Sequence, residues 1–117
     1  MGNFINFTNH PSDKWDDKQT EAAEIYGKII DVPFPAVNPK ASEEDIKQLA
    51  KQCIEQIIKL QPSCVLCQGE FTLSFYVVNK LKLKGIKVVS ACSERNVVEQ
   101  GEKKIAVFRF VQFREYR

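Results

Sequence analysis

The residues of this chain best suited to chemistry follow its first predicted strand, in "FTNHPS": Thr8, Asn9, His10 and Ser12. An imidazole can take up or release a proton near neutral pH, and His10 is the one histidine present. Short hydroxyl and amide side chains beside a helix start, where free backbone N–H groups attract anions, suit a phosphate, a ribose or a base. Two later stretches share that polar character. In "QGEFT", Gln68 and Thr72 offer hydrogen bonds, Gly69 lets a backbone approach a ligand closely, and Glu70 brings a carboxylate. In "SACSER", Ser93 adds a hydroxyl, and Arg95 has a planar fork able to grip a phosphate or carboxylate through two bonds.

Each of these residues also has a plainer reading. His10 precedes Pro11 and suits a turn, and Glu70 can complement the start of a helix. Ser93-Glu94-Arg95 can be a solvated turn with an internal ion pair. Trp15 could stack on a base, but a buried anchor for the first helix is the simpler role.

The cysteines point away from metal and redox chemistry. "CVLC", from Cys64 to Cys67, has the spacing of a zinc or dithiol half-site, but it sits in an apolar run between Pro62 and Gly69 that reads as a buried strand. Residues three apart on a strand point to opposite faces, so these thiols could not share one ion. Four buried, reduced cysteines and no metal site are expected. The chain also lacks G-x-G-x-x-G, a phosphate-loop lysine motif and a hydrolase nucleophile elbow, which argues against a dinucleotide dehydrogenase, a nucleoside triphosphatase and an esterase.

At 117 residues and 44% hydrophobic content the chain suits one domain, 1–117. The net charge of +2 is spread along its length, leaving no polybasic footprint for duplex nucleic acid or a membrane surface. No apolar run approaches the roughly 20 residues of a membrane span. The N-terminus reads as neither a secretory leader nor, despite Met1-Gly2, an acylation signal, so a cytoplasmic protein is expected.

Periodicity divides the chain into alternating strands and helices. Strands are predicted at Phe4 to Phe7, Lys28 to Val32, Cys64 to Cys67 and Ile86 to Ala91. The first helix, capped by Ser12, runs to Tyr26, and the second begins at a Ser42/Asp45 capping box. The third runs from Glu70 to Lys82, and a strand pair turning near Gly101 closes the chain. In "IAVFRFVQF", simple alternation puts Ala106, Phe108 and Phe110 on one face and Val107, Arg109, Val111 and Phe113 on the other, so one face suits a partner subunit. The whole predicts an α/β, Rossmann-like three-layer sandwich with a mostly parallel sheet and a C-terminal antiparallel pair. With strand order second, first, third, fourth, the three polar loops converge outside the strands' carboxyl ends.

This layout, with "FTNHPSDKW", "QGEFTLSF" and "SACSER" at its corners, resembles the small CRISPR-associated Rossmann fold proteins that bind cyclic oligoadenylate messengers. The resemblance implies a cytoplasmic homodimer of the antiviral signalling systems, whose two mouths form one pocket for the cyclic nucleotide without a cofactor. It places Thr8, Asn9, His10 and Ser12 in one ligand loop and Gln68, Gly69, Glu70 and Thr72 in the second. A ring nuclease of this kind cleaves through attack of a 2′-hydroxyl on the adjacent phosphate and needs no metal. His10 would then move the proton, and Arg95 would stabilise the phosphoryl oxygens. Binding without cleavage, as a sensor or sponge, and a non-catalytic interaction module are the alternatives.

Overall fold

Apolar residues flank the first polar loop on a strand that is buried from Phe4 onward, and the fold grows around it. The computed structural model describes residues 2–117, so Met1 of the Met-Gly start lies outside the described residues. Strand β1 is Asn3–Phe7, followed by a single 3-10 turn at Ser12–Lys14 and helix α1 at Asp17–Glu24. Then come β2 (Ile29–Asp31), α2 (Glu43–Lys59), β3 (Pro62–Cys67) and α3 (Phe71–Leu83). Two long strands, β4 (Lys87–Gln100) and β5 (Lys103–Glu115), complete the chain.

The five strands form one sheet in the order β2-β1-β3-β4-β5. Strands β2, β1, β3 and β4 run parallel, and β5 returns antiparallel to β4. The sheet order and the antiparallel closing pair are those expected from the sequence. On one face α2 and α3 cover a core that includes Ile5, Phe7, Ile57, Val65, Cys67, Leu73, Val77 and Leu81. On the other, α1 and its flanks cover a smaller aromatic cluster. There the Phe4 ring lies 6.2 Å from that of Trp15, 6.0 Å from Tyr26 and 5.2 Å from Phe113. Trp15 is thus the anchor between the 3-10 turn and the sheet. Among the described residues no helix is long and apolar enough to cross a membrane.

Local chemistry explains most boundaries. The Ser42 hydroxyl accepts the Asp45 N–H while the Asp45 carboxylate accepts the Ser42 N–H, the reciprocal bond pair that starts α2. Gly27 has φ of +137°, and a Cβ there would meet the Gly2 carbonyl, so only glycine fits the turn that lets β2 pair with β1. The cap of α1 differs from expectation. Asp16, not Ser12, accepts the Gln19 N–H, because α1 starts only at Asp17, and Ser12 instead opens a separate 3-10 turn with its hydroxyl donating to Asp31.

The largest departure is at the C-terminal pair. The fourth strand does not end at Ala91, and "SACSER" is not a loop: β4 runs on to Gln100 and pairs with β5 throughout. Its pairing to β3 stops at Val89, so the rest of the two strands leaves the carboxyl edge of the sheet as a ribbon. The sorting of side chains along β5 also changes. Cys92 pairs with Gln112 and Ser93 with Phe110, which leaves Val111 as a bulge. The extra residue reverses the alternation, so Phe113 shares the face of Phe110, with the rings 4.8 Å apart.

Candidate functional site

The loop after β1 is held by a buried amide. Asn6 is 1% exposed, a polar side chain within an otherwise apolar strand. Its Nδ2 donates to the His10 carbonyl and to Asp31 Oδ1, both at 2.9 Å, and its Oδ1 accepts the Thr8 hydroxyl at 2.8 Å. The Thr8 hydroxyl in turn accepts the His10 N–H at 3.1 Å. Asp31, at the end of the neighbouring strand β2, accepts from the Ser12 N–H at 3.2 Å and the Ser12 hydroxyl at 3.1 Å. Asn6 and Asp31 therefore clamp both ends of the turn, and every member of the network has a partner. Thr8 and Ser12, expected to contact a ligand, are internal braces. Asn9 and His10 are exposed and stand clear of the network.

The loop after β3 is organised in a similar way. Glu70 is the N-cap of α3, its carboxylate accepting the Leu73 N–H at 2.8 Å and the Thr72 hydroxyl at 2.6 Å. Those bonds, the Thr72 one foremost, hold the Glu70 carboxyl below the ordinary value of 4.5. The Gln68 carbonyl oxygen accepts the Ala91 N–H, tying this loop to the root of the ribbon. Gly69 has a structural reason of its own. A Cβ at that position would lie 2.5 Å from three ring carbons of Phe34, and that ring packs 4.7 Å from Phe7. The close approach that Gly69 permits is to Phe34, in place of the expected ligand.

Phe34 alters the anatomy of the switch point. It comes from the proline-rich connection between β2 and α2, bonds through its N–H to the Thr8 carbonyl, and is 4% exposed. The ring packs against Gly69 between the first two loops, where a crevice was expected, which leaves a ligand at this rim the exposed surface that includes Asn9 and His10. Ser93 and Arg95 are not in that surface. They lie on the exposed ribbon, Arg95 four residues beyond Ala91, about 13 Å at ~3.3 Å per residue.

The first two loops thus meet at one rim, and the third polar stretch projects from the same rim on a ribbon. Asn6, Asp31 and Phe34 had not been singled out as site residues. A polar residue inside an apolar strand was the available signal for Asn6. The other two depend on which strands become neighbours. Two cavities lie elsewhere, along α2 and α3: one of about 580 Å³ beside Phe75, Tyr76, Lys80 and Leu83, and one of about 340 Å³ beside Lys51, Ile54, Ile58 and Lys84.

The thiols take no part in the rim. Cys64 packs in the aromatic cluster and Cys67 in the core on the opposite face. Burial pushes their thiols up to about 11 and about 12, respectively, and raises that of Cys53 as well. Cys92, expected to be buried, is only half-buried, because the ribbon leaves the sheet there.

Residues 2–114 match the protein family described as "Uncharacterized protein MJ1673 family", and the chain belongs to that family. No curated protein matches it.

Proposed function

We propose that this member of the MJ1673 family binds a cyclic oligoadenylate at the carboxyl rim of its sheet, in the cytoplasm, and opens the ring without a metal ion. The observation that carries this reading is the fixed turn bearing Asn9 and His10. A buried amide and a carboxylate from the neighbouring strand brace it, and the two side chains left exposed are an amide and an imidazole. Such a surface can bond a nucleotide edge or phosphate and move a proton beside it. The CRISPR-associated resemblance supplies the ligand class.

The reaction that fits is internal transesterification. The ribose 2′-oxygen forms a bond to the adjacent phosphorus, the bond from phosphorus to the 5′-oxygen breaks, and the products are a 2′,3′-cyclic phosphate and a 5′-hydroxyl. His10 takes the 2′-hydroxyl proton or returns one to the leaving oxygen, and Arg95, which lies on the ribbon outside this surface of its own chain, balances charge on the phosphoryl oxygens once a second copy brings it to the rim. Holding the reacting atoms in line supplies much of the acceleration.

A binding-only role is the second reading. It is favoured by the engagement of Thr8, Ser12, Glu70 and Thr72 in bonds within the protein, which leaves few groups for catalysis. Incubation with cyclic tetra-adenylate in chelator, with products resolved by chromatography and affinity measured by calorimetry, separates the two. Cleavage slowed by about 100-fold in His10→Ala with little change in affinity matches the enzymatic reading. Tight binding with no turnover leaves the sensor or sponge. Neither binding nor turnover removes the nucleotide altogether.

A further inference from the structure

The ribbon is the least supported part of the molecule. Past Val89, β4 has only β5 beside it, and β5 is the sheet's edge. Residues 93–100 and 103–109 are exposed throughout. A two-stranded hairpin is at best marginally stable in water, and this one exposes apolar side chains among its charges on both faces. Val97 and Phe108 are exposed on one face, and Val98, Ile105 and Val107 on the other, with Phe108 66% accessible. The extension is visible in the molecule's size. Its radius of gyration is 15.5 Å, against about 13.4 Å for a compact chain of this length.

A second uncovered apolar patch lies at the same rim. Phe71, the first residue of α3, is 88% exposed, and Phe75, one turn on, is 70% exposed. Single exposed apolar residues are ordinary, but two phenylalanines one turn apart on a helix that starts at the ribbon's rim form an apolar stripe of the kind that marks an interface.

We propose that two copies of this chain exchange their ribbons across a two-fold axis, so that each ribbon covers Phe71 and Phe75 of the partner subunit. Three features select a second copy over another partner. Ribbon and receiving patch leave one rim of one chain, so a single two-fold operation covers both kinds of surface and closes the assembly. The ribbon's charges nearly cancel, three glutamates against four basic residues with Glu94 opposite Arg109 and Glu99 opposite Lys104, so it presents no strong field to attract a polyanion or an anionic membrane. The area is also adequate. Each ribbon face measures about 30 Å by 10 Å from strand spacing, ~300 Å². With ribbon and receiving surface contributed by each copy, burial approaches the roughly 800 Å² per partner of a stable interface. The faces bearing Val98, Ile105 and Val107 meet ribbon on ribbon at the axis.

The exchange also bears on the rim. Arg95 is carried away from the Asn9–His10 surface of its own copy and toward that of the other, so each pocket takes its arginine from the partner. This last point rests on the nucleotide reading, whereas the assembly does not.

Sedimentation of the full chain at about 100 μM, without ligand, tests the interface directly. The expected mass is twice 13.4 kDa. Val98→Asp combined with Phe108→Asp, and separately Phe71→Asp with Phe75→Asp, should each weaken the dimer by about 100-fold. All four positions are exposed, so circular dichroism of the variants should stay native. In a Cys92→Ser background, Phe108→Cys with Phe71→Cys should give a disulfide-linked dimer. A wild-type chain sedimenting at 13.4 kDa, or a dimer indifferent to the ribbon substitutions, overturns the inference. Loss of nucleotide binding with the dimer intact overturns only the reading of the rim. If turnover is present, mixing inactive His10→Ala with inactive Arg95→Ala should restore about a quarter of wild-type activity, since half of the dimers are mixed and each has one intact site. No restoration returns Arg95 to its own subunit.

Discussion

Replacing Asn6 by alanine should loosen the candidate site and weaken the whole fold. The amide makes three bonds in a position 1% exposed: to the His10 carbonyl, the Asp31 carboxylate and the Thr8 hydroxyl. Two of them join neutral groups, at about 1 kcal/mol each, and the bond to the carboxylate adds ~1.5 kcal/mol at the low end of its range because Asp31 is exposed. The loss is about 3.5 kcal/mol, which for a chain of this length lowers the melting temperature by ~14 °C. Urea titration and thermal melting followed by circular dichroism read both quantities, and hydrogen exchange at the His10 and Ser12 amides should accelerate in parallel. Thr8→Val, which removes the hydroxyl's bond to the Asn6 oxygen and the one it accepts from the His10 N–H, should lose about 2 kcal/mol. Asn6→Asp should behave differently from Asn6→Ala. It keeps the shape but sets a second carboxylate against Asp31, so its deficit should shrink as the pH falls and the introduced group takes up a proton. A loss below ~1 kcal/mol in Asn6→Ala, with unchanged exchange, would refute the view that this amide holds the turn.

Three further outcomes are expected. Gly69→Ala pushes a methyl group to 2.5 Å from the Phe34 ring, which cannot retreat past Phe7, and should lower stability by about 1–3 kcal/mol; adding Phe34→Ala should recover much of the loss in a urea-titration cycle. Because the cap bonds lower the Glu70 carboxyl in the folded state, its stabilisation is complete above 4.5 and is lost as pH falls through the lowered folded value. The melting temperature of Glu70→Gln, measured from pH 7 to pH 3, should therefore converge on that of the wild type only at the acid end. A thiol reagent at pH 8 should modify Cys92 rapidly in the native protein and all four cysteines after unfolding. Rapid native labelling at Cys53, Cys64 or Cys67 would contradict their burial.

Local signals reported the fold's frame well. The Ser42/Asp45 box, the apolar spacing of α2 and Pro62 after it act over a few residues, and each is where the pattern suggested. The parallel sheet order followed from short strand-helix alternation, because right-handed crossovers leave few arrangements. The strand pair around Gly101 was expected, but its continuity with the fourth strand was not legible in the same way. Whether "SACSER" turns or stays extended depends on β5, whose partner residues are up to 24 positions away, and hydrophobic periodicity carries no record of that pairing. The bulge at Val111 was hidden for the same reason: a single extra residue reverses every inward and outward assignment after it.

The site was legible in its loops and not in its supports. Polar residues after a strand indicate that a loop can bond something, but not whether that partner is a ligand or the protein itself. Ser12 was bound to be read as a helix cap while Asp31 was unplaced, and Gly69 as a ligand approach while Phe34 was taken for part of a connecting segment. Once Phe34 occupies the switch point, the rim lacks the depth that usually shields a small ligand from water. Asn9 and His10 are then the outer layer of one subunit, and a surface of two polar side chains has too few contacts to hold a nucleotide ring alone. A pocket at this rim requires walls from elsewhere, and among the described residues the element that rises past the rim is the ribbon. Under the proposed exchange, the ribbon's length and the plugged crevice share one explanation, walls supplied by a second copy.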